Sequence, residues 1–151
     1  MEDFLIKDKE QRRQEKLTIN VVAKTLWGEA RGENIAGKNA VASVIYNRYK
    51  ISQTKGGYWW GNSLIDICQQ PHQFSCWNIN DVNYDKIQNI NEDDLSFQEC
   101  QRIARRLVRG LLIDITDGSD HYHNIFVHPK WAEDSIITCQ FGTHLFYRMV
   151  K

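Results

Sequence analysis

Trp27-Gly28-Glu29-Ala30-Arg31-Gly32-Glu33 places two acids between glycines, where one apolar helical pattern stops and another begins. Upstream, Leu17, Val21, Val22 and Leu26 recur at helical spacing as far as Gly28, which reads as the break. Downstream, Ala36, Ala40, Val41, Val44, Ile45 and Tyr46 predict a second helix from about Ile35 to Tyr49. Glu29 therefore falls near the C-terminal end of the first helix, where the negative end of the helix dipole favours a protonated carboxyl. Partial burial beside an aromatic such as Trp27 acts in the same direction, as a proton donor at neutral pH requires. The glycines allow a bulky substrate to approach closely. A glycine-capped helix end with two solvated glutamates fits the same residues, and the pattern by itself leaves both readings open.

The chain has 151 residues, enough for one domain with a core of its own. Its 19 basic and 19 acidic residues balance, so no electrostatic pull toward nucleic acid is implied. No apolar run approaches the roughly 20 residues that span a bilayer, and no membrane span is expected. Residues 1–16 are too charged for a secretory signal and read as a solvated helical lead-in to a catalytic domain over 17–151. Synthesis in the cytoplasm is expected, with any action outside it needing another exit route. Cys68, Cys76, Cys100 and Cys139 follow no zinc-ligand spacing and read as reduced core thiols, although Cys68 and Cys76 are candidates to pair under oxidising conditions.

Beyond the second helix, Gly56-Gly57-Tyr58-Trp59-Trp60-Gly61 is a glycine and aromatic loop suited either to ligand contact or to plugging the core edge. A short helix is expected over Ser63 to Cys68, a turn over Pro71 to Trp77, and another short helix around Tyr84, Ile87 and Ile90. Ser96 and Glu99 form a capping-box signature ahead of Phe97, Cys100, Ile103, Ala104, Leu107 and Val108, in a helix ending at Gly110. Short strands follow around His121 to Asn124, Ile136 to Cys139 and Leu145 to Tyr147, with a turn near Gly142. Helices first and a small antiparallel sheet late indicate an α+β domain, mainly helical.

Three constellations can carry chemistry. Glu29 is the candidate acid for protonating a departing glycosidic oxygen, with Glu33 as its partner or as an anchor of the turn to Arg31, Lys38 or the next helix. Asp114, Asp117 and Asp120 are candidates for a base brought near by folding. His121 and His123, two apart on a strand, point the same way. That pair suits zinc with His144, His72 or Cys139 as a third ligand, a substrate-facing wall, or a buried structural role. No HExxH or comparable spacing is present, so no metal and no cofactor are assigned. A Cys76–His72 thiol-imidazole pair lacks any visible group to lower the thiol pKa.

Several of these segments, in order, resemble the SleB/CwlJ-type cell-wall hydrolase family, which includes spore-cortex-lytic enzymes. They are residues 25–33 (TLWGEARGE), 37–48 (GKNAVASVIYNR), 71–75 (PHQFS), 114–123 (DITDGSDHYH), 129–132 (PKWA) and 142–148 (GTHLFYR). The resemblance implies a lysozyme-like or lytic-transglycosylase-like fold that cleaves the β-1,4 bond between N-acetylmuramic acid and N-acetylglucosamine in peptidoglycan strands. By the family's motif the catalytic acid is Glu29, and Gln73, Phe74, Ser75, His121, Tyr122, His123 and Tyr147 are its expected glycan-binding residues. A lytic transglycosylase needs one carboxyl and yields a 1,6-anhydro product. A hydrolytic muramidase needs a second acid, for which Glu33 and Asp117 are the candidates. A catalytically silent peptidoglycan-binding module would keep the cleft without a perturbed Glu29. Residues 77–94 have no clear counterpart in the family and read as a lid or an additional subsite.

Overall fold

The structure is a computed structural model and describes residues 2–150; the end residues Met1 and Lys151 of the two expected segments lie outside it. Helix α1 runs from Glu2 to Ala30, α2 from Ile35 to Lys55, α3 from Leu64 to Gln69, α4 from Val82 to Gln88 and α5 from Leu95 to Val108. Three strands follow, β1 at His121–Asn124, β2 at Ile137–Phe141 and β3 at His144–Tyr147, in the antiparallel order β1-β3-β2. The α+β architecture expected from the residue pattern is the one observed.

Gly28 does not break α1. It lies inside the helix, where a Cβ would sit 2.6 Å from Cys76 Cβ and 2.8 Å from Cys76 Sγ, so its lack of a side chain admits the 3₁₀ turn Ser75–Trp77 against the helix. The chain leaves α1 two residues later, where the Glu33 amide donates to Ala30 O. Asn34 then caps α2 by accepting from the Gly37 amide, and Gly56, in the left-handed region at φ 69°, closes its far end. Helix α2 thus extends beyond the expected Tyr49 to Lys55, by about 1.7 turns.

The first half of α1 is solvated, and its continuation from Val22 enters a core shared with α2, α3 and α5. Ala40 and Ala42 have no accessible surface, and Val41, Val44 and Ile45 are equally enclosed on α2. Trp60 is fully buried, its indole donating to Arg48 O and Ser52 Oγ, while Trp59 is 56% exposed. The aromatic loop therefore divides between the two roles its composition suggested. The expected capping box also needs correction. Asp94 is the N-cap of α5 and accepts from the Phe97 amide at 2.8 Å; Ser96 reaches Arg31 O, and Glu99 pairs with the buried Lys38 at 2.9 Å. The earlier residue prevails: Asp94 also receives the Trp27 indole, which ties the start of α5 to α1.

Candidate active site

The last turn of α1, the middle of α2, the Gln73–Ser75 turn, the start of α4 and the strands β1 and β3 enclose an open cleft of about 510 Å³. Glu29 lines it together with Arg48, Gln73, Phe74, Ser75, Asn83, Tyr122, Asn124 and His144. Glu29 is the sole carboxylate among the described residues of that lining.

The Tyr122 hydroxyl, on β1, donates to Glu29 Oε1 at 3.0 Å. Burial pushes the Glu29 carboxyl up to about 7; the Tyr122 hydrogen bond opposes this and the negative charge of Asp81 adds to it. The side chain nevertheless stays partly open to the cleft, so the acid is desolvated and reachable at once. Trp27 is not what buries it. Residues two apart on a helix face different ways, and the Trp27 ring lies beneath the Arg31 guanidinium with its indole on Asp94. Phe74 and Phe146 flank the Tyr122 ring, with centroids at 6.4 and 5.6 Å, and so hold its hydroxyl over Glu29.

Arg48 was not singled out from the sequence. It sits on α2 at the apolar positions Val41, Val44 and Ile45 continued by one turn, a placement that marks a long cation inside a core face. Its Nε donates to Asp120 O at 2.8 Å, its Nη1 reaches Gln73 Oε1 at 3.3 Å, and it lies over the rings of Trp60 and Phe74. Burial lowers its pKa, and the negative charge of nearby Asp120 opposes this. Arg48 ties the Gln73–Ser75 turn to β1 and presents one positive charge to the cleft.

The remaining candidates divide by strand alternation. Tyr122 and Asn124 face the cleft; His121, His123 and Tyr147 place their rings on the opposite sheet face, under Trp131. There the His123 ring stacks on Tyr147 and both its nitrogens are engaged, by Asn124 O and by Tyr147 Oη, each at 2.8 Å. His121 is held by Asp120 at 2.7 Å. The shared direction of the two imidazoles is as expected, but it points them into an aromatic cluster; of the two, His123 also lines the cleft. Among the described residues no group of His, Cys, Asp and Glu is arranged to hold a metal.

The candidate second acids are separated from Glu29. Glu33 accepts from Thr143 Oγ1 at 2.5 Å and from the Thr143 amide, with His144 Nδ1 3.7 Å away; it anchors the turn to β3 rather than to Arg31 or Lys38. Asp117, at φ 53°, lines a different groove with Lys50, Lys55 and Arg148. Asp114 closes its own loop on Thr116, Gly118 and Asn47. Burial would raise the pKa of Asp120, but His121 and the amides of Val150 and Met149 hold it below the usual range. Cys76 faces Gly28, and burial drives its thiol far above the usual range, which removes it as a nucleophile.

The family model for cell wall hydrolases matches residues 32–147, beginning just after Glu29. Among solved structures, the catalytic domain of the Bacillus cereus SleB protein is similar at 23% identity and a TM-score of 0.66, over 87% of this chain and 89% of that one. The catalytic domain of the germination-specific lytic transglycosylase SleB from Bacillus anthracis is similar at 24% identity and a TM-score of 0.65, over 87% of this chain and 93% of that one. No curated protein is significantly similar.

Proposed function

The chain belongs to the cell wall hydrolase family, and from that premise we propose that it is a lytic transglycosylase of peptidoglycan with Glu29 as its single acid and base. The observation that carries the reading is the Glu29 carboxyl itself, raised to about 7, oriented by Tyr122 and alone among the lining residues as an acid. Near neutral pH such a group is a competent proton donor and, once ionised, a competent acceptor.

In the first step protonated Glu29 gives its proton to the oxygen linking N-acetylmuramic acid to N-acetylglucosamine, and the C1–O4 bond breaks. The Glu29 carboxylate then takes the proton of the muramic 6-hydroxyl while that oxygen bonds to C1. The product is a 1,6-anhydro ring, water is not consumed, and Glu29 returns to its protonated form. Tyr122 stays bonded to Oε1 and limits the charge on the carboxylate between the two steps. Asn83, Asn124, Gln73 and Ser75 supply polar groups to the glycan, and Arg48 holds Gln73 in place. Peptidoglycan strands are the proposed partner, reached in the cell wall after release from the cytoplasm. No helix of the described residues is long and apolar enough to cross a membrane.

Digestion of purified peptidoglycan in ¹⁸O-water tests this outcome. The reading predicts soluble muramyl products without ¹⁸O. Label at a reducing muramic end would instead establish a hydrolytic muramidase.

A further inference from the structure

His144 belongs to the cleft lining, yet the steps above leave it without a task. Its Nδ1 is sealed from solvent and has no hydrogen-bond partner. The closest acid to that nitrogen is Glu33 Oε1 at 3.7 Å, which is fixed by the Thr143 hydroxyl and amide. The ring stands edge-on to Tyr122, with centroids 5.0 Å apart. A buried Nδ1 turned toward a carboxylate holds its proton there, because the N–H is attracted to the acid and a lone pair would be repelled. The other nitrogen, Nε2, which is not sealed and unpartnered as Nδ1 is, then carries the lone pair of a ring that lines the open cleft.

We infer that His144 is a further substrate-binding residue, a neutral imidazole whose Nε2 accepts a hydrogen bond from a hydroxyl or acetamido N–H of the bound glycan, with Glu33 as the positioning residue that fixes its tautomer. Burial lowers the imidazole pKa, and nearby His123 adds to this while Glu33 opposes it, which agrees with a neutral ring at pH 7. The arrangement also explains a carboxylate that neither serves as the second acid nor pairs with a cation: Glu33 acts through His144. In this geometry α1 supplies both the reacting acid, Glu29, and, just past its end, the group that orients a binding residue on β3.

The inference rests on the glycan-cleaving reading, and its test is separable from it. Imidazole ¹⁵N spectra of the full chain are recorded with and without a β-1,4 N-acetylglucosamine oligosaccharide. The expected result is a His144 ring protonated at Nδ1, whose Nε2 resonance shifts on titration. A ring protonated at Nε2, or an Nε2 signal unmoved by saturating oligosaccharide, overturns the inference. Two variants add a second readout. His144→Gln keeps an acceptor near the Nε2 position, whereas His144→Asn keeps only a group near Nδ1. Binding should weaken about tenfold in His144→Asn and much less in His144→Gln, the loss of one hydrogen bond to a sugar. The reverse order would assign His144 a purely structural link to Glu33. Product release from peptidoglycan by the parent protein is a separate measurement, so loss of the glycosidase reading and loss of the His144 role are told apart.

Discussion

Glu29 is held with a raised pKa that costs stability at neutral pH, and under the proposed mechanism the same shift sets the pH profile of activity. Its folded pKa of about 7 stands above its ordinary value of 4.5, so the folded protein binds more protons than the unfolded chain between those pH values. Stability from this group is therefore complete below pH 4.5 and falls as pH rises toward 7, by roughly 3 kcal/mol in all. Glu29→Gln removes that dependence: at pH 8 the variant should unfold at a higher temperature than the parent, and at pH 4 the two should coincide. Activity follows the same titration with the opposite use. The donor must be protonated, so kcat/KM should be level in mildly acid solution and decline as pH passes about 7. The Tyr122 hydrogen bond lowers the Glu29 pKa, so in Tyr122→Phe the alkaline decline should move to higher pH while maximal activity drops. A decline that stays in place would mean that Tyr122 does not set the protonation of Glu29.

Among the elements, α1 carries the most consequence because its last turn is both helix end and active-site wall. Alanine normally favours a helix over glycine by about 1 kcal/mol, yet Gly28→Ala should destabilise by about 1–3 kcal/mol in urea unfolding. The added methyl meets Cys76 at 2.6 Å and Ile87 Cγ2 at 3.3 Å, and neither is a flexible chain end. At the other contact, Asp94→Ala should cost about 1–2 kcal/mol, since it uncaps α5 and strands the Trp27 indole. Helical spacing was enough to locate the helices, because each periodic run reports its own buried face. It did not report what those faces meet. Gly28 looks like a helix end until Cys76 is placed against it, and Ser96 looks like a cap until Trp27 is seen to select Asp94. Local composition and the family resemblance both pointed to Glu29 as the residue to examine, but not to the group that meets it: Tyr122 is 93 positions away and Trp27 only two. Strand alternation was equally legible in that His121 and His123 share a face, but only β3 and Trp131 decide that this face is turned from the cleft.

Taken whole, the molecule sets a helical core beside a three-stranded sheet, with the cleft between them and Arg48 bridging the two through Asp120 O. Residues 2–13 contribute little to this arrangement. They contain the exposed Phe4, Leu5 and Ile6, and among the described residues their ion pairs, Arg12–Asp8 and Arg13–Glu10, stay within the segment, with Arg12 alone bordering the groove against α5. Their removal should leave the unfolding temperature within about 2 °C and the activity unchanged, since exposed pairs contribute little. A large loss of either would show that the lead-in belongs to the catalytic domain. The central claim, that Glu29 alone serves as acid and base in glycan cleavage, is tested most directly by mass spectrometry of the soluble products of purified peptidoglycan, with parent and Glu29→Gln side by side. The account predicts 1,6-anhydro-muramyl products from the parent and a loss of about 100-fold or more in the variant, whose fold remains intact. Undiminished anhydro products from Glu29→Gln would contradict it.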